Sequence, residues 1–172
     1  FRFYLNCGAG ADTSASYLVE TSVFACLCVP LHPPGCGNGN ITNVVLNTLS
    51  NTSTCTPPAY QAFAPIGAAT TAIERGVTYN LSVTTDQSCI VSVWVDWDHD
   101  NVFSSSEWTQ VTTATDGVNP STVGLPVPIG AQLGQTAMRI RTRFAGNVNG
   151  PTDACTSFGS GESEDYLIDV LP

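Results

Sequence analysis

Apolar and polar residues alternate with a period of two over much of this 172-residue chain. The pattern is clearest in VTYNLSVT (77 to 84), CIVSVWVDW (89 to 97), AMRIRTRF (137 to 144) and EDYLIDVL (164 to 171). Such a period puts successive side chains on opposite faces, so each segment predicts a strand with one face buried. FRFYL (1 to 5), SYLVETSVFACLCV (16 to 29), ITNVVLNTL (41 to 49) and EWTQVTT (107 to 113) predict further strands. Turn-forming clusters separate them: HPPGCGNGN, TPPAYQ, TDGVNPS and GNVNGPTD. No segment carries a capped 3.6-residue period, and AATTAIER (68 to 75) predicts one helical turn at most, weakened by its threonines. The fold class is therefore all-β, an antiparallel β-sandwich of Ig-like or jelly-roll-like type with little helix.

Residues 1 to 35 are more apolar than the rest and end in the stiff PLHPPG stretch. They read as an N-terminal extension, either a separate strand pair or an arm that adds to a neighbouring subunit's sheet edge. Residues 36 to 172 then form the sandwich domain. The chain opens on Phe1 with no charged segment leading into an apolar one, which reads as a mature sequence whose export signal is gone. No apolar run approaches the roughly 20 residues of a membrane helix, so membrane insertion is not expected.

Charge narrows the partners. Only 11% of residues are charged, the net charge is −9, and all five basic residues are arginine. A surface of that sign repels phosphate backbones, which argues against nucleic acid and in favour of divalent cations or neutral glycans. Seven cysteines without CxxC spacing point to an oxidising compartment and a disulfide framework. The expected pairs are Cys36 with Cys55 and Cys89 with Cys155, leaving Cys7, Cys26 and Cys28 to share one bridge and one unpaired thiol. The leftover sulfur would be a buried thiol or a link to another chain.

The densest charge is DWDHDNVFSSSE, residues 96 to 107, directly after an apolar strand. Aspartates on alternate positions repel one another and need a counter-charge. Asp96, Asp98 and Asp100 take the first, third and fifth places of a calcium loop, Val102 offers a carbonyl at the seventh, and Glu107 is twelfth. The sixth place, normally glycine, is Asn101, which tolerates positive φ. Phe103 is placed to pin the loop to the core, and His99 is expected to face solvent. A set of oxygen ligands favours Ca2+ over zinc or copper. Strand flanks make the loop a structural clamp rather than a regulatory hinge. The competing reading leaves the acids hydrated and neutralised by Arg139, Arg141 or Arg143.

VWVDWDHDNVFSSSEW, followed by AMRIRTRF and then GESEDYLIDV, resembles the GEVED domain family of secreted bacterial proteins. ITNVVLNTLSNTSTC and GVTYNLSVT extend the likeness to about residues 36 to 171. The naming motif stands here as Gly161, Glu162, Ser163, Glu164 and Asp165, with serine in place of the usual valine. The resemblance implies a β-sandwich module of extracellular enzymes and surface proteins. By strand period, Glu162 and Glu164 share a face with Tyr166, Ile168 and Val170. Acids in that position need a partner: the metal loop, backbone amides or an arginine, in a structural role.

Trp94, Trp97 and Trp108 admit two uses, core packing or a stacking platform for glycans. The sequons at Asn40, Asn51 and Asn80 permit N-glycosylation, whereas proline blocks the one at Asn119. Two histidines, no nucleophile elbow and no zinc or phosphate motif give catalysis little support, so no enzyme is expected. The combined reading is a secreted, disulfide-bonded, calcium-stabilised structural or adhesive surface module that self-assembles as a homo-oligomer or homopolymer into a filament or layer. A carbohydrate-binding module is the second reading.

Overall fold

The computed structural model describes residues 4 to 6, 11 to 13, 23 to 33, 35 to 37 and 39 to 172. Strands β1 (Tyr4–Asn6) and β2 (Ala11–Thr13) pair with each other and with no strand of the sandwich. The strand expected over 16 to 29 lies outside the described residues as far as residue 22. From Val23 to Cys26 the chain makes a 3-10 turn instead.

The body consists of β3 (Ile41–Leu46), β4 (Leu49–Thr52), β5 (Tyr60–Phe63), β6 (Ala72–Glu74), β7 (Thr78–Thr85), β8 (Cys89–Val95), β9 (Trp108–Thr112), β10 (Ser121–Pro126), β11 (Gly134–Phe144) and β12 (Ser163–Leu171). One sheet runs β10-β7-β3-β4; the other runs β5-β12-β11-β8-β9, with β6 also on β12. The second sheet is mixed, because β5 and β6 pair with β12 in parallel. The segment 41 to 49, expected as one strand, is a strand and a tight turn: Asn47 takes φ 51° and sends the chain back into β4. Of the helical turn expected over 68 to 75, a 3-10 turn at Gly67–Ala69 remains, and the chain then extends into β6.

Between the sheets lies the main core, with Leu46, Leu81, Val83, Val91, Val93, Val95, Met138, Ile140, Ile168 and Val170 all buried. A second apolar cluster, including Leu27, Trp94, Phe103, Ala137, Ala154 and Leu167, covers the outer face of the second sheet. Strand β8 is therefore buried on both faces, which explains why CIVSVWV reads as a nearly continuous apolar run. The outer cover comes from two directions. Phe24 and Leu27 arrive from the N-terminal side, and Ala154 and Phe158 from the long β11–β12 connection.

The cysteines fix that cover. Cys36 is joined to Cys55 as expected. Cys155 is joined to Cys28 rather than Cys89, and Cys89 is a free buried thiol whose pKa burial pushes up to about 12. The expected pairing failed because Cys89 points into the core between the sheets, whereas Cys155 lies on the far side of the second sheet. Cys26 is also disulfide-bonded, so Cys26 and Cys28 serve separate bridges. Cys7 lies outside the described residues.

Candidate functional site

Strand β8 ends at Val95, and its ladder continues one step further through the Asp96 N–H, which donates to the Ala137 carbonyl at 3.0 Å. The next residues cannot continue the strand: His99 and Asn101 both take positive φ, 55° and 65°. Asparagine at the sixth place thus makes the turn that glycine would otherwise make. Asp96 lies 1% exposed at the base of this turn. Its carboxylate accepts the N–H groups of Asp100 and Asn101, each at 3.1 Å.

The loop closes on Glu107, which is also buried. Its Oε1 accepts the Trp97 N–H at 2.7 Å, and its Oε2 accepts the Ser104 N–H at 2.8 Å and the Ser104 hydroxyl at 2.9 Å. Phe103 inserts into the outer cluster and anchors the middle of the loop. From the β10–β11 side, the Gln132 side chain donates to the Asp98 carbonyl and the Thr136 hydroxyl to the Asp96 carbonyl.

These bonds bring the ligand atoms of Asp96, Asp98 and Glu107 within 4.8 Å of one another. Asp100 stands outside that group, its Oδ1 accepting the Val102 N–H at 2.8 Å, and the Val102 side chain is 58% exposed. Burial, opposed by the Asn101 N–H bond, pushes the Asp96 carboxyl up to about 6, and the charges of Glu107 and Asp100 push the same way. No guanidinium answers the three acids: among the described residues the one ion pair is Arg139 with Asp165. His99 is half-buried rather than solvent-facing, with Nε2 shut away from water and unpartnered.

The arginines expected as competitors lie elsewhere. Arg139, Arg141 and Arg143 alternate along β11 on the outer face of the second sheet. Arg139 Nε and Nη2 hold Asp165 on neighbouring β12 at 2.7 and 2.6 Å, and the Tyr60 hydroxyl adds a third bond at 2.8 Å. Arg141 donates to the carbonyls of Asp153 and Thr156 and to the Ser163 hydroxyl. Burial lowers its pKa to about 9, and the nearby Arg139 charge adds to the fall. Arg143 binds the Val148 carbonyl, and both Arg141 and Arg143 lie over the Phe158 ring at 4.2 and 4.3 Å. The ladder thereby clamps the β11–β12 connection.

Ser163 has a second partner that sequence reasoning missed. Its hydroxyl lies 2.9 Å from His32 Nε2, while His32 Nδ1 lies 3.2 Å from the Ser160 carbonyl. Burial and then the Arg141 charge lower the His32 pKa to about 4, so the ring is neutral, with Nδ1 donating and Nε2 accepting. The only sequence signal was the serine in place of valine within the GESED motif.

The motif's glutamates face the other way, between the sheets. Glu162 accepts the Ile41 N–H and the Gln61 amide, each at 2.9 Å. Glu164 accepts the Ser53 hydroxyl and the Tyr166 hydroxyl, each at 2.6 Å. All three acids of the motif are thus committed to anchoring strands, and none joins the loop.

Burial, partly offset by those hydroxyl bonds, raises Glu164 to about 7. The folded state then holds this proton more tightly than the unfolded chain, whose carboxyl titrates near 4.5. The associated stability is complete at low pH and is lost as pH rises through about 7. Glu164→Gln removes that loss. Its melting temperature relative to the parent is expected to climb between pH 4.5 and 7 by on the order of 5 °C, read by calorimetry with chelator present. A constant difference across that range would contradict the assignment.

The tryptophans make no exposed platform. Trp94 is fully buried with Nε1 on the Pro151 carbonyl, Trp97 is 9% exposed in the main core, and Trp108 packs half-buried against the outer cluster. Of the sequon asparagines, Asn40 donates to Asp86 and Asn51 to Tyr166, and Asn80 is exposed on β7.

Residues 90–169 match the model of the GEVED domain, a segment from β8 to β12 that contains the acidic loop, the arginine ladder and the GESED motif. The match does not extend back to residue 36. No curated protein matches the chain in sequence. Among solved structures the chain is similar to a Niemann-Pick type C2 protein from Japanese carpenter ant, at 9% identity and TM-score 0.41 over 80% of this chain and 97% of that one. It is also similar to a chitin binding domain from Burkholderia pseudomallei, at 8% identity and TM-score 0.35 over 59% of this chain and 57% of that one. Likeness at this level says nothing of what this chain binds.

Proposed function

We propose, on the premise that residues 90–169 are a GEVED domain, that this chain is a calcium-stabilised, non-catalytic structural module working outside the cell. The observation that carries this reading is the convergence of Asp96, Asp98 and Glu107 within 4.8 Å, with no ion pair to any of the three among the described residues. Hard carboxylate oxygens on a loop of mixed backbone geometry suit calcium, which accepts six to eight oxygens in flexible arrangement. Asp100 and the Val102 carbonyl are the further oxygens the loop offers. Bound calcium would supply charge neutralisation, tying the end of β8 to the start of β9. Disulfides support an oxidising location, and no helix among the described residues is long and apolar enough to cross a membrane.

A ligand that binds only the folded state stabilises it by about 2.7 kcal/mol at one hundred times its Kd. Calcium is therefore expected to raise the melting temperature of the chelator-treated chain by roughly 5–10 °C. An unchanged melting curve would remove the basis of the reading.

The same proposal gives residues 1 to 35 the task of joining copies into a homopolymer. What supports it is that, among the described strands, β1 and β2 pair only with each other. The segment from Phe24 to His32, by contrast, packs on the second sheet, so the joining part would lie before it. Deleting residues 1 to 22 should leave monomers by light scattering, and assemblies surviving the deletion would reject this part.

A further inference from the structure

Cys28–Cys155 and Cys36–Cys55, the two bridges with both cysteines among the described residues, differ in their surroundings. Around Cys28–Cys155, Arg139 Nη1 donates to the Cys28 sulfur at 3.0 Å, and Nη2 donates to the Cys28 carbonyl at 2.7 Å. The guanidinium is held in place by bonds that do not involve the sulfur: Nε and Nη2 grip Asp165, and Nη1 also reaches the Ala154 carbonyl at 3.0 Å. Asp165 offsets part of the charge, but the N–H groups it uses are not the one aimed at sulfur. The two half-cystines also differ in access, since Cys155 is exposed and Cys28 half-buried. Among the described residues, no cationic side chain bonds either sulfur of Cys36–Cys55.

We propose that Cys155 is a thiol-exchange site, with Arg139 holding Cys28 as the leaving group. An incoming thiolate attacks Sγ of Cys155 from solvent, and a new S–S bond forms there. The Cys28–Cys155 bond breaks, and its electron pair departs on Cys28 Sγ, where the Arg139 N–H receives the developing thiolate. The products are a mixed disulfide on Cys155 and a thiolate at Cys28. A second thiolate attacking the mixed disulfide at its external sulfur yields the Cys155 thiolate and the oxidised external thiol. A guanidinium beside sulfur lowers the thiol pKa, and a thiol of lower pKa leaves faster. The ligand class is a thiol, on a small molecule or on a protein. Opening the bridge cuts the covalent tie between the segment bearing Leu27 and the connection bearing Ala154. It proceeds whether or not the acidic loop holds a cation.

The test is brief exposure of the folded, oxidised chain to reduced glutathione, quenching with iodoacetamide, and peptide mapping by mass spectrometry. Cys28–Cys155 is expected to open on the order of tenfold faster than Cys36–Cys55. Glutathione should sit on Cys155 and the alkyl group on Cys28. Earlier opening of Cys36–Cys55, or glutathione mainly on Cys28, overturns the proposal. Arg139→Lys should slow the opening and blur the partition; wild-type rate and partition in a folded variant would overturn the role of Arg139. If that variant does not fold, the partition measured in the parent chain decides.

Discussion

Asp165→Asn is expected to lower stability by about 3–5 kcal/mol, the cost of leaving a buried charge without its partner. Arg139 and Asp165 are both fully buried and face each other across the β11–β12 register. Two parallel bonds join them, and the Tyr60 hydroxyl, on β5 at the other side of β12, adds a third. The asparagine keeps the shape of the aspartate but presents an N–H where an acceptor is needed, and the guanidinium charge remains. Three strands of the second sheet lose a common anchor. Urea unfolding followed by tryptophan fluorescence should show a lower midpoint with an unchanged slope, because the unfolded surface is the same. Tyr60→Phe, which removes one bond and no charge, is expected to cost only about 1 kcal/mol. Equal midpoints for parent and Asp165→Asn would show that the pair is not a keystone of the sheet.

Gly161→Ala is expected to be comparably severe, at about 3–5 kcal/mol, from strain and overlap together. Gly161 holds φ at 89°, a region L side chains rarely adopt. A Cβ there would overlap the Thr142 carbonyl oxygen and lie 2.5 Å from its carbon and 3.0 Å from the Arg143 nitrogen. All of these are backbone of β11, so no side chain can move aside. The close approach is what allows the Thr142 N–H to bond the Glu162 carbonyl at 2.9 Å and the Glu162 N–H to bond the Thr142 hydroxyl at 2.8 Å. The first residue of the motif thus has a steric reason, and the acids that follow have electrostatic ones. The variant should express poorly or melt well below the parent, and a melting temperature within a degree of the parent would refute the packing described.

What could be read from the chain follows from how local each constraint is. The long strands β7, β8, β11 and β12 were legible because each sends alternate apolar residues into the main core, but the pattern did not show that β8, β11 and β12 are buried on both faces. β10 (STVGLP) and β5 (YQAF) were not, because glycine, prolines and polar neighbours hide the alternation, and β5 exists only by pairing with β12. For β6, the segment 68 to 75 suggests at most one weak helical turn, because local propensity cannot see the strand's partner on β12. In the acidic loop, Asn101 and Phe103 were placed by their spacing, and the convergence of Asp96, Asp98 and Glu107 follows from the same spacing. The outward turn of Asp100 and the burial of His99 depend on the backbone path and left no trace in the pattern. The Cys28–Cys155 bridge and the contact of His32 with Ser163 span more than a hundred residues and belong to tertiary packing alone.

The central claim, that the acidic loop takes a calcium ion, is tested most directly by terbium luminescence. Terbium replaces calcium in oxygen sites and glows when excited through a nearby indole, and Trp97 sits between two of the loop's aspartates. Tryptophan-sensitised emission should saturate at about one equivalent, as expected for a single loop site, and be displaced by calcium. Asp98→Asn should abolish it, because Asp98 is exposed and accepts only one long loop bond, at 3.3 Å, so the fold survives the change. Emission that is absent, or that persists undiminished in Asp98→Asn, would contradict the account.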